Sequence, residues 1–349
     1  MSAPPVLVEV SRGDVVESRH RGAIAVVTPQ GELVAWLGDP DQRQFLRSSA
    51  KPFQLAPFVA SGRFDAYGFG NPTEALAIMA ASHSGEDRHV RTVQALLRQG
   101  GLSRDVLKCG MHPPYDAETA ARLLRDNEPV TPLRHNCSGK HAGMALHAKA
   151  AGWDVETYWQ PDHPIQRLAL ETVAAMSDMP VDEIPTATDG CGVVTFAFPL
   201  RAIALMFARL ADPSSVTDAP LRGALERIRD AMIAHPELVA GEHRRLDTTL
   251  MRAARGAVVS KGGAEGLSSV GVLAGHAGPG RSGAIGMALK VEDGDAAHRA
   301  GSVAVFAALN QLGVLDGQAL EQNAELAAPR IRDPRGTQSG EVRPRFRLT

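Results

Sequence analysis

The sequence predicts an α+β fold, with an antiparallel sheet from the N- and C-terminal segments packed against a helical region. Two observations predict it. Short strand-like runs lie at both ends of the chain, and the residues between them carry helical periodicity with few breaks. Strands so far apart in sequence are most economically gathered into one sheet with the helices packed on it. The expected organisation is a single domain over 1–349, with sheet from about 1–47 and 256–349 and a helical middle over about 48–255.

Each element has its own signal. Near the start, apolar pieces at 6–10, 15–18, 23–28 and 33–36 are divided by Arg12-Gly13-Asp14 and Gln30-Gly31, which reads as an antiparallel meander. Helical patterns follow at roughly 49–60, 73–82, 87–98, 117–125, 139–150, 163–176, 200–211, 219–234 and 246–254. Strand-like runs appear at 193–198, 257–260, 268–273 and 284–291. A long apolar-periodic helix is expected at about 295–312 and another at 317–326, and the tail from Pro329, rich in Arg, Pro and Gly, reads as extended. No fixed-period repeat is visible.

Composition narrows the function classes. With 44% apolar and 22% charged residues, the chain has the make-up of a soluble globular protein. A net charge of −2 gives no reason to expect nucleic acid or an anionic membrane as a partner. The opening Met1-Ser2-Ala3-Pro4-Pro5 lacks the basic and apolar regions of a signal peptide. The apolar stretch at 196–211 is broken by Pro199, Arg201 and Arg209, so no membrane span is expected. Three cysteines argue against a secreted disulfide framework, and a cytoplasmic location is expected.

Lysine usage points to the chemistry. Lysine plus arginine totals 37, and only six are lysine. Arginine can replace lysine wherever a solvated positive charge is enough, but it cannot supply a neutral amine. Three of the six lie beside small polar residues or glycines: Lys51, Lys140 and Lys261. Lys149 reads as solvated on a helix, and Lys108 and Lys290 have no evident role.

Ser48-Ser49-Ala50-Lys51 is the chain's one Ser-x-x-Lys, and it opens a helical pattern with Pro52 just inside. Positions i and i+3 share a helix face, so the Ser48 hydroxyl and the Lys51 amine can meet. A serine nucleophile needs such a base, and lysine can serve when burial or a neighbouring cation lowers its pKa. The plainer reading is an N-cap serine and a solvated lysine. Two further segments weigh against it: Ala81-Ser82-His83-Ser84-Gly85-Glu86, and Ser260-Lys261-Gly262-Gly263 after a strand-like run. Ser-x-x-Lys, Ser-x-Ser and Lys-Gly-Gly follow the motif order of serine β-lactamases and penicillin-binding proteins. By that analogy Ser82 and Lys261 form a second Ser–Lys pair opposite Ser48 and Lys51.

Cys137 in Asn136-Cys137-Ser138-Gly139-Lys140-His141 and Cys191 in Asp189-Gly190-Cys191-Gly192 both sit in glycine-flanked loops beside ionisable groups. One reading is a zinc site with two thiolates and a nitrogen from Lys140, His135 or His141. Another is a Cys137 nucleophile with His135 or His141 as base. The plain alternative is two buried free thiols. Cys109 reads as core.

Taken together, these motifs resemble the rhizobial-type, or class 3, L-asparaginases of the L-asparaginase II family. The stretches that carry the likeness are 47–54, 81–86, 134–141, 188–192 and 286–294, spread over most of the chain. The resemblance implies a serine β-lactamase-like fold and a homodimer that hydrolyses L-asparagine to L-aspartate and ammonia near a zinc ion. It further implies catalytic pairs Ser48–Lys51 and Ser82–Lys261, and zinc held by Cys137, Lys140 and Cys191. Arg47, His141 and Asp189 would grip the substrate's α-amino and α-carboxylate groups. Val194 departs from the pattern, where proline is expected. Another serine amidohydrolase, a β-lactamase-like hydrolase and a non-catalytic zinc-binding protein are the competing functions.

Overall fold

A computed structural model describes residues 3–296 and 298–349. Met1 and Ser2 of the N-terminal stretch, and Ala297 of the helix expected from 295, lie outside the described residues. The strands are β1 (Val6–Arg12), β2 (Val15–Val27), β3 (Leu33–Leu37), β4 (Arg43–Phe45), β5 (Thr186–Thr188), β6 (Val194–Pro199), β7 (Val258–Gly262), β8 (Leu267–Val272), β9 (Ile285–Val291), β10 (Arg330–Arg332) and β11 (Gln338–Pro344). The chain divides into two compact units. Met1–Ser49, Ala197–Ser215 and Thr249–Thr349 form the first, and Ala50–Phe196 with Val216–Thr248 forms the second.

The first unit is built on one sheet in the order β10-β11-β1-β2-β9-β8-β7, with β3 also pairing β2. Its ladders are antiparallel, and its strands come from both ends of the chain, as the α+β reading expects. Every residue of β8 is buried, because both sheet faces are covered. On one face lies the helix Leu200–Ala211, which the sequence pattern placed in the helical middle. Gly286 and Gly271 lie opposite each other on that face. A Cβ on Gly286 would fall 2.0 Å from the Ala204 carbonyl oxygen, and one on Gly271 2.4 Å from that of Phe207. Glycine is required there because helix backbone meets sheet backbone. Gly301–Gln311 packs on the other face, the face of Ser268 and Leu289.

β2 and the helix expected from 295 differ from expectation. β2 is a single 13-residue strand where two short runs and a polar break were expected. The break, Arg19-His20-Arg21, is strand whose polar side chains are each engaged: Arg19 with Glu9, His20 with Asp293, Arg21 with the Pro4 carbonyl. The helix expected from 295 begins at Gly301. Before it, the Asp295 carboxylate accepts from the N–H groups of Arg299, Ala300 and Gly301. The tail is extended, as expected: it forms a hairpin, β10–β11, and β11 pairs with β1.

The second unit is helical. Its helices are Lys51–Ala60, Pro72–Met79, Asp87–Gln99, Ala117–Arg125, Ser138–Ala151, Pro164–Ser177, Ala219–Ala234 and the short Pro236–Val239. Asn71, Asp116 and Asp218 cap three of them through their side-chain oxygens. Ser138–Ala151 is the central helix, buried from Ser138 to Ala148. It packs close because Gly139 faces the Ile78 carbonyl oxygen, 2.0 Å from where a Cβ would stand. Among the described residues no helix is long and apolar enough to cross a membrane.

Gly286 is the sharpest test of this packing. Gly286→Ala is expected to lower the unfolding free energy by about 3 kcal/mol or more, since rigid backbone must move to admit the methyl group. Gly283→Ala, with open space around it, should be nearly neutral; denaturant titration of both variants checks the contrast.

Candidate active site

In the first unit, β4 leads into a single 3₁₀ turn, Arg47–Ala50. Arg47 has φ 46°, a left-handed conformation uncommon for a residue with a side chain and often found where a site is held under strain. Ser48, next in the chain, is half-buried. Ser49 is fully buried, donates to the Lys261 carbonyl at 2.8 Å and accepts from the Ser269 hydroxyl at 3.1 Å. The turn carrying Ser48 is thereby pinned to β7, the strand carrying Lys261. The Lys261 side chain is buried and donates to the Gly262 carbonyl at 2.7 Å.

Lys51 opens the first helix of the second unit and is 1% exposed, so it is not the solvated lysine of the plainer reading. Its amine donates to the Ala81 carbonyl at 2.5 Å, the Ser82 hydroxyl at 2.8 Å and the Asn136 carbonyl at 3.4 Å. Burial pulls its pKa down, and the Lys140 charge acts in the same direction against the opposing pull of Cys137 and Cys191. Within the second unit, Lys51 thus touches Ser82. The helix expected to contain Ser82 ends at Met79. Ser82 follows in irregular backbone, where its N–H donates to the Val239 carbonyl at 2.9 Å.

Next to Lys51 lies the cysteine group. Cys137 is at the N-terminus of Ser138–Ala151, where the helix dipole favours a thiolate. The neighbouring Cys191 thiol and the charges of Lys51 and Lys140 hold the Cys137 thiol well below an ordinary pKa, against the opposing effect of burial. Cys191 is held by the turn 189–193, in which Gly192 has φ 89°, and its thiol contacts the Asp189 carboxylate at 3.4 Å. The Lys140 amine donates to the Cys191 sulfur at 2.9 Å. Although burial opposes its charge, Cys191, Cys137 and Asp189 together raise its pKa.

His141 is fully buried, and its Nδ1 bonds the Tyr158 hydroxyl at 2.7 Å. That leaves Nε2 beside the Cys191 thiol without a well-formed hydrogen bond. His135 Nδ1 accepts from the Cys137 backbone N–H at 3.0 Å. Cys109 is buried, with its thiol pKa pushed up to about 12 mainly by burial, in keeping with a core role.

These contacts bring Lys51, Ser82, Cys137, Lys140, His141, Asp189 and Cys191 together within the second unit. Ser48 and Lys261 share the first unit, as does Arg47. Among the described residues no three His, Cys, Asp or Glu side chains are grouped as a metal site. The possible donor set is two thiols and the Lys140 amine, with His141 Nε2 adjacent. Val194 uses the N–H that a proline would lack, donating to Gln166 Oε1 at 3.2 Å.

Sequence reasoning missed several residues around Ser82. Arg245 donates to the Ser84 hydroxyl at 2.7 Å and to the Ser82 carbonyl at 2.8 Å. Tyr115 lies against the Arg245 guanidinium and stacks with His112, which in turn contacts His135. No spacing signal marks these residues, because they converge from separate loops. The other lysines also gain roles. Lys149 caps the end of Asp87–Gln99 through the Gly100 carbonyl at 2.7 Å, Lys108 pairs with Glu156, and Lys290 donates to the Val291 carbonyl.

Comparison with known proteins follows from this geometry. The family model described as L-asparaginase II matches residues 8–344. No curated protein matches significantly. Among solved structures, a probable glutaminase from Bacillus subtilis complexed with 6-diazo-5-oxo-L-norleucine is similar at 15% identity and a TM-score of 0.37, over 87% of this chain and 83% of that one. A Bacillus glutaminase in 4.3 M NaCl is similar at 14% identity and a TM-score of 0.37, over 88% and 91%. Native Mglu is similar at 15% identity and a TM-score of 0.36, and the match spans 86% of this chain and 66% of Mglu.

Behind Ser82 two stacked histidines are fixed in neutral form. His83 Nδ1 accepts from the Gly85 N–H, and His89 Nδ1 accepts from the Glu86 N–H. Burial holds His83 well below its usual pKa and His89 at about 4. The unfolded chain therefore binds more protons between pH 6.5 and 4, so their contribution is complete above about 6.5 and is lost as pH falls toward 4. His89 alone should account for roughly 3 kcal/mol of that loss. Urea unfolding of wild type and His89→Gln at pH 7 and pH 4.5 is expected to show a shallower pH dependence in the variant.

Proposed function

The chain belongs to the L-asparaginase II family, and on that premise we propose that it is an L-asparaginase, hydrolysing L-asparagine to L-aspartate and ammonia. The family makes it an amidohydrolase; the linear side-chain amide of asparagine is our reading of its substrate. One observation carries the mechanism: a buried lysine amine with a lowered pKa, 2.8 Å from the Ser82 hydroxyl and three residues after Ser48.

In this mechanism Ser48 attacks the amide carbon as Lys51 takes its proton. The tetrahedral oxyanion is stabilised by backbone N–H groups, that of the nucleophile among them. The Lys51–Ser82 hydrogen bond offers a path for the proton to the departing ammonia, and Lys261 supplies a second cation. Water then hydrolyses the β-aspartyl ester. Arg47 and Asp189 have the charges to bind the α-carboxylate and α-amino groups, while His141, fully buried, would act through Cys191. The 2.8 Å contact also favours one alternative, in which Ser82 is the nucleophile and Ser48 assists.

Zinc is part of the proposal. Two buried thiols close enough to shift each other's pKa, with an amine 2.9 Å from one of them, fit a soft, borderline cation. Cys137, Cys191 and Lys140 would hold it. When bound, it supplies positive charge that keeps both thiols ionised and favours a neutral amine on Lys140. A cytoplasmic homodimer completes the reading, on the family resemblance.

Ser48→Ala should lower ammonia release from L-asparagine by roughly 10³-fold or more while the circular dichroism stays native; near-normal turnover would remove Ser48 as nucleophile. Lys→Arg at 51, 140 or 261 should be comparably severe, and at Lys149 should stay within about twofold. Metal analysis is expected to find about one zinc per chain, lost in Cys191→Ser.

A further inference from the structure

Residues 81–86 belong to no helix or strand, so their backbone polar groups must find partners elsewhere. Residues 239–245 partner both backbone groups of Ser82 and also bond two side chains of the segment. The Ser82 N–H donates to the Val239 carbonyl at 2.9 Å, the Ser84 hydroxyl to the Ala240 carbonyl at 2.9 Å, and the Glu242 N–H to Glu86 Oε1 at 2.9 Å. Gly241 has φ 140°, and a Cβ there would stand 2.4 Å from the Ser84 hydroxyl oxygen and 2.7 Å from Glu86 Oε1. Close approach at that point requires glycine. The segment ends on Arg245, whose two terminal nitrogens reach the Ser82 carbonyl at 2.8 Å and the Ser84 hydroxyl at 2.7 Å.

We infer that Arg245 is a positioning residue that fixes the Ser82 hydroxyl against Lys51 by clamping the backbone on the far side of Ser82. The inference rests on Ser82 belonging to the catalytic set. Ser82 is held at three points: Lys51 at its hydroxyl, Val239 at its N–H and Arg245 at its carbonyl. Lys51 alone of these touches the atom proposed to move a proton. Arg245 acts through geometry, and its planar fork is suited to holding two acceptors at once, which a lysine cannot reproduce. The Tyr115 ring, 5.8 Å from the guanidinium, covers its outer side. Displacing a proton-relay group by an ångström typically costs about 10²-fold in rate.

The test is ammonia release from L-asparagine by wild type, Arg245→Ala, Arg245→Lys, Ser82→Ala and the double variant Arg245→Ala/Ser82→Ala, with circular dichroism as a check on folding. Arg245→Ala is expected to lose about 10²-fold in kcat with KM nearly unchanged. Added guanidinium ion should restore at least about tenfold. In the Ser82→Ala background the same change should cost almost nothing further, because what Arg245 positions is gone. If Arg245→Ala fails to fold, Arg245→Lys carries the test, with an expected kcat loss of about tenfold that guanidinium does not need to rescue. Near-wild-type turnover by Ser82→Ala would overturn the reading of Ser82 itself. With Ser82→Ala inactive, the role of Arg245 alone is overturned by any of three results. These are Arg245→Ala within about threefold of wild type, a loss that guanidinium leaves untouched, or Arg245→Lys equal to wild type.

Discussion

A lysine amine taken almost wholly out of water has to be held, and the second unit of this protein is arranged around holding one. Lys51 sits 1% exposed at the first position of its helix. An isolated buried ammonium would be far too costly, so the group is either paired or shifted toward its neutral form. Both occur here. Backbone carbonyls of Ala81 and Asn136 and the Ser82 hydroxyl receive its hydrogens, while burial and the nearby Lys140 charge lower its pKa. The surroundings that make the amine expensive also make it usable as a base.

Other features of the unit follow from that requirement. Ser138–Ala151 delivers Cys137, Lys140 and His141 to one place, and it can do so because Gly139 lets its backbone lie against Ile78. Cys137, whose pKa is lowered, gives the two buried amines an anionic partner. Histidines that could have competed for protons are locked neutral by backbone N–H groups aimed at Nδ1, as in His83, His89 and His135. In the first unit the equivalent economy is Ser49, a buried hydroxyl that ties the strained Arg47–Ala50 turn to β7.

Much of this was legible in the sequence, for physical reasons. Strands at both chain ends, the helix at 200–211 and the helix at 219–234 follow directly from apolar periodicity. The scarcity of lysine singled out Lys51, Lys140 and Lys261, and all three are buried. Pairings were less legible. Spacing offers Ser48 to Lys51, but nothing local offers Ser82, which reaches the Lys51 amine through irregular backbone that has no period to read. β2 was read as two runs because the polar Arg19-His20-Arg21 interrupts the apolar pattern, and Glu9, Asp293 and the Pro4 carbonyl, which engage it, are distant in sequence or carry no signal. Lys149 is exposed on its helix, as read, and its bond to the Gly100 carbonyl went unseen because helix capping by a distant side chain leaves no local mark. Arg245, Tyr115 and His112 were invisible for the same reason, since they meet only when the loop carrying His112 and Tyr115 comes against the one carrying Arg245.

The central claim is that a lysine-activated serine, Ser48, forms the covalent bond to the substrate, with Ser82 passing protons and Cys137 serving the metal site. A reactive analogue of asparagine carrying a diazoketone in place of the side-chain amide would mark that group directly. After incubation and proteolysis, tandem mass spectrometry should find the added mass on the peptide containing Ser48, at Ser48 itself. Added mass at Ser82 or at Cys137 instead would contradict it.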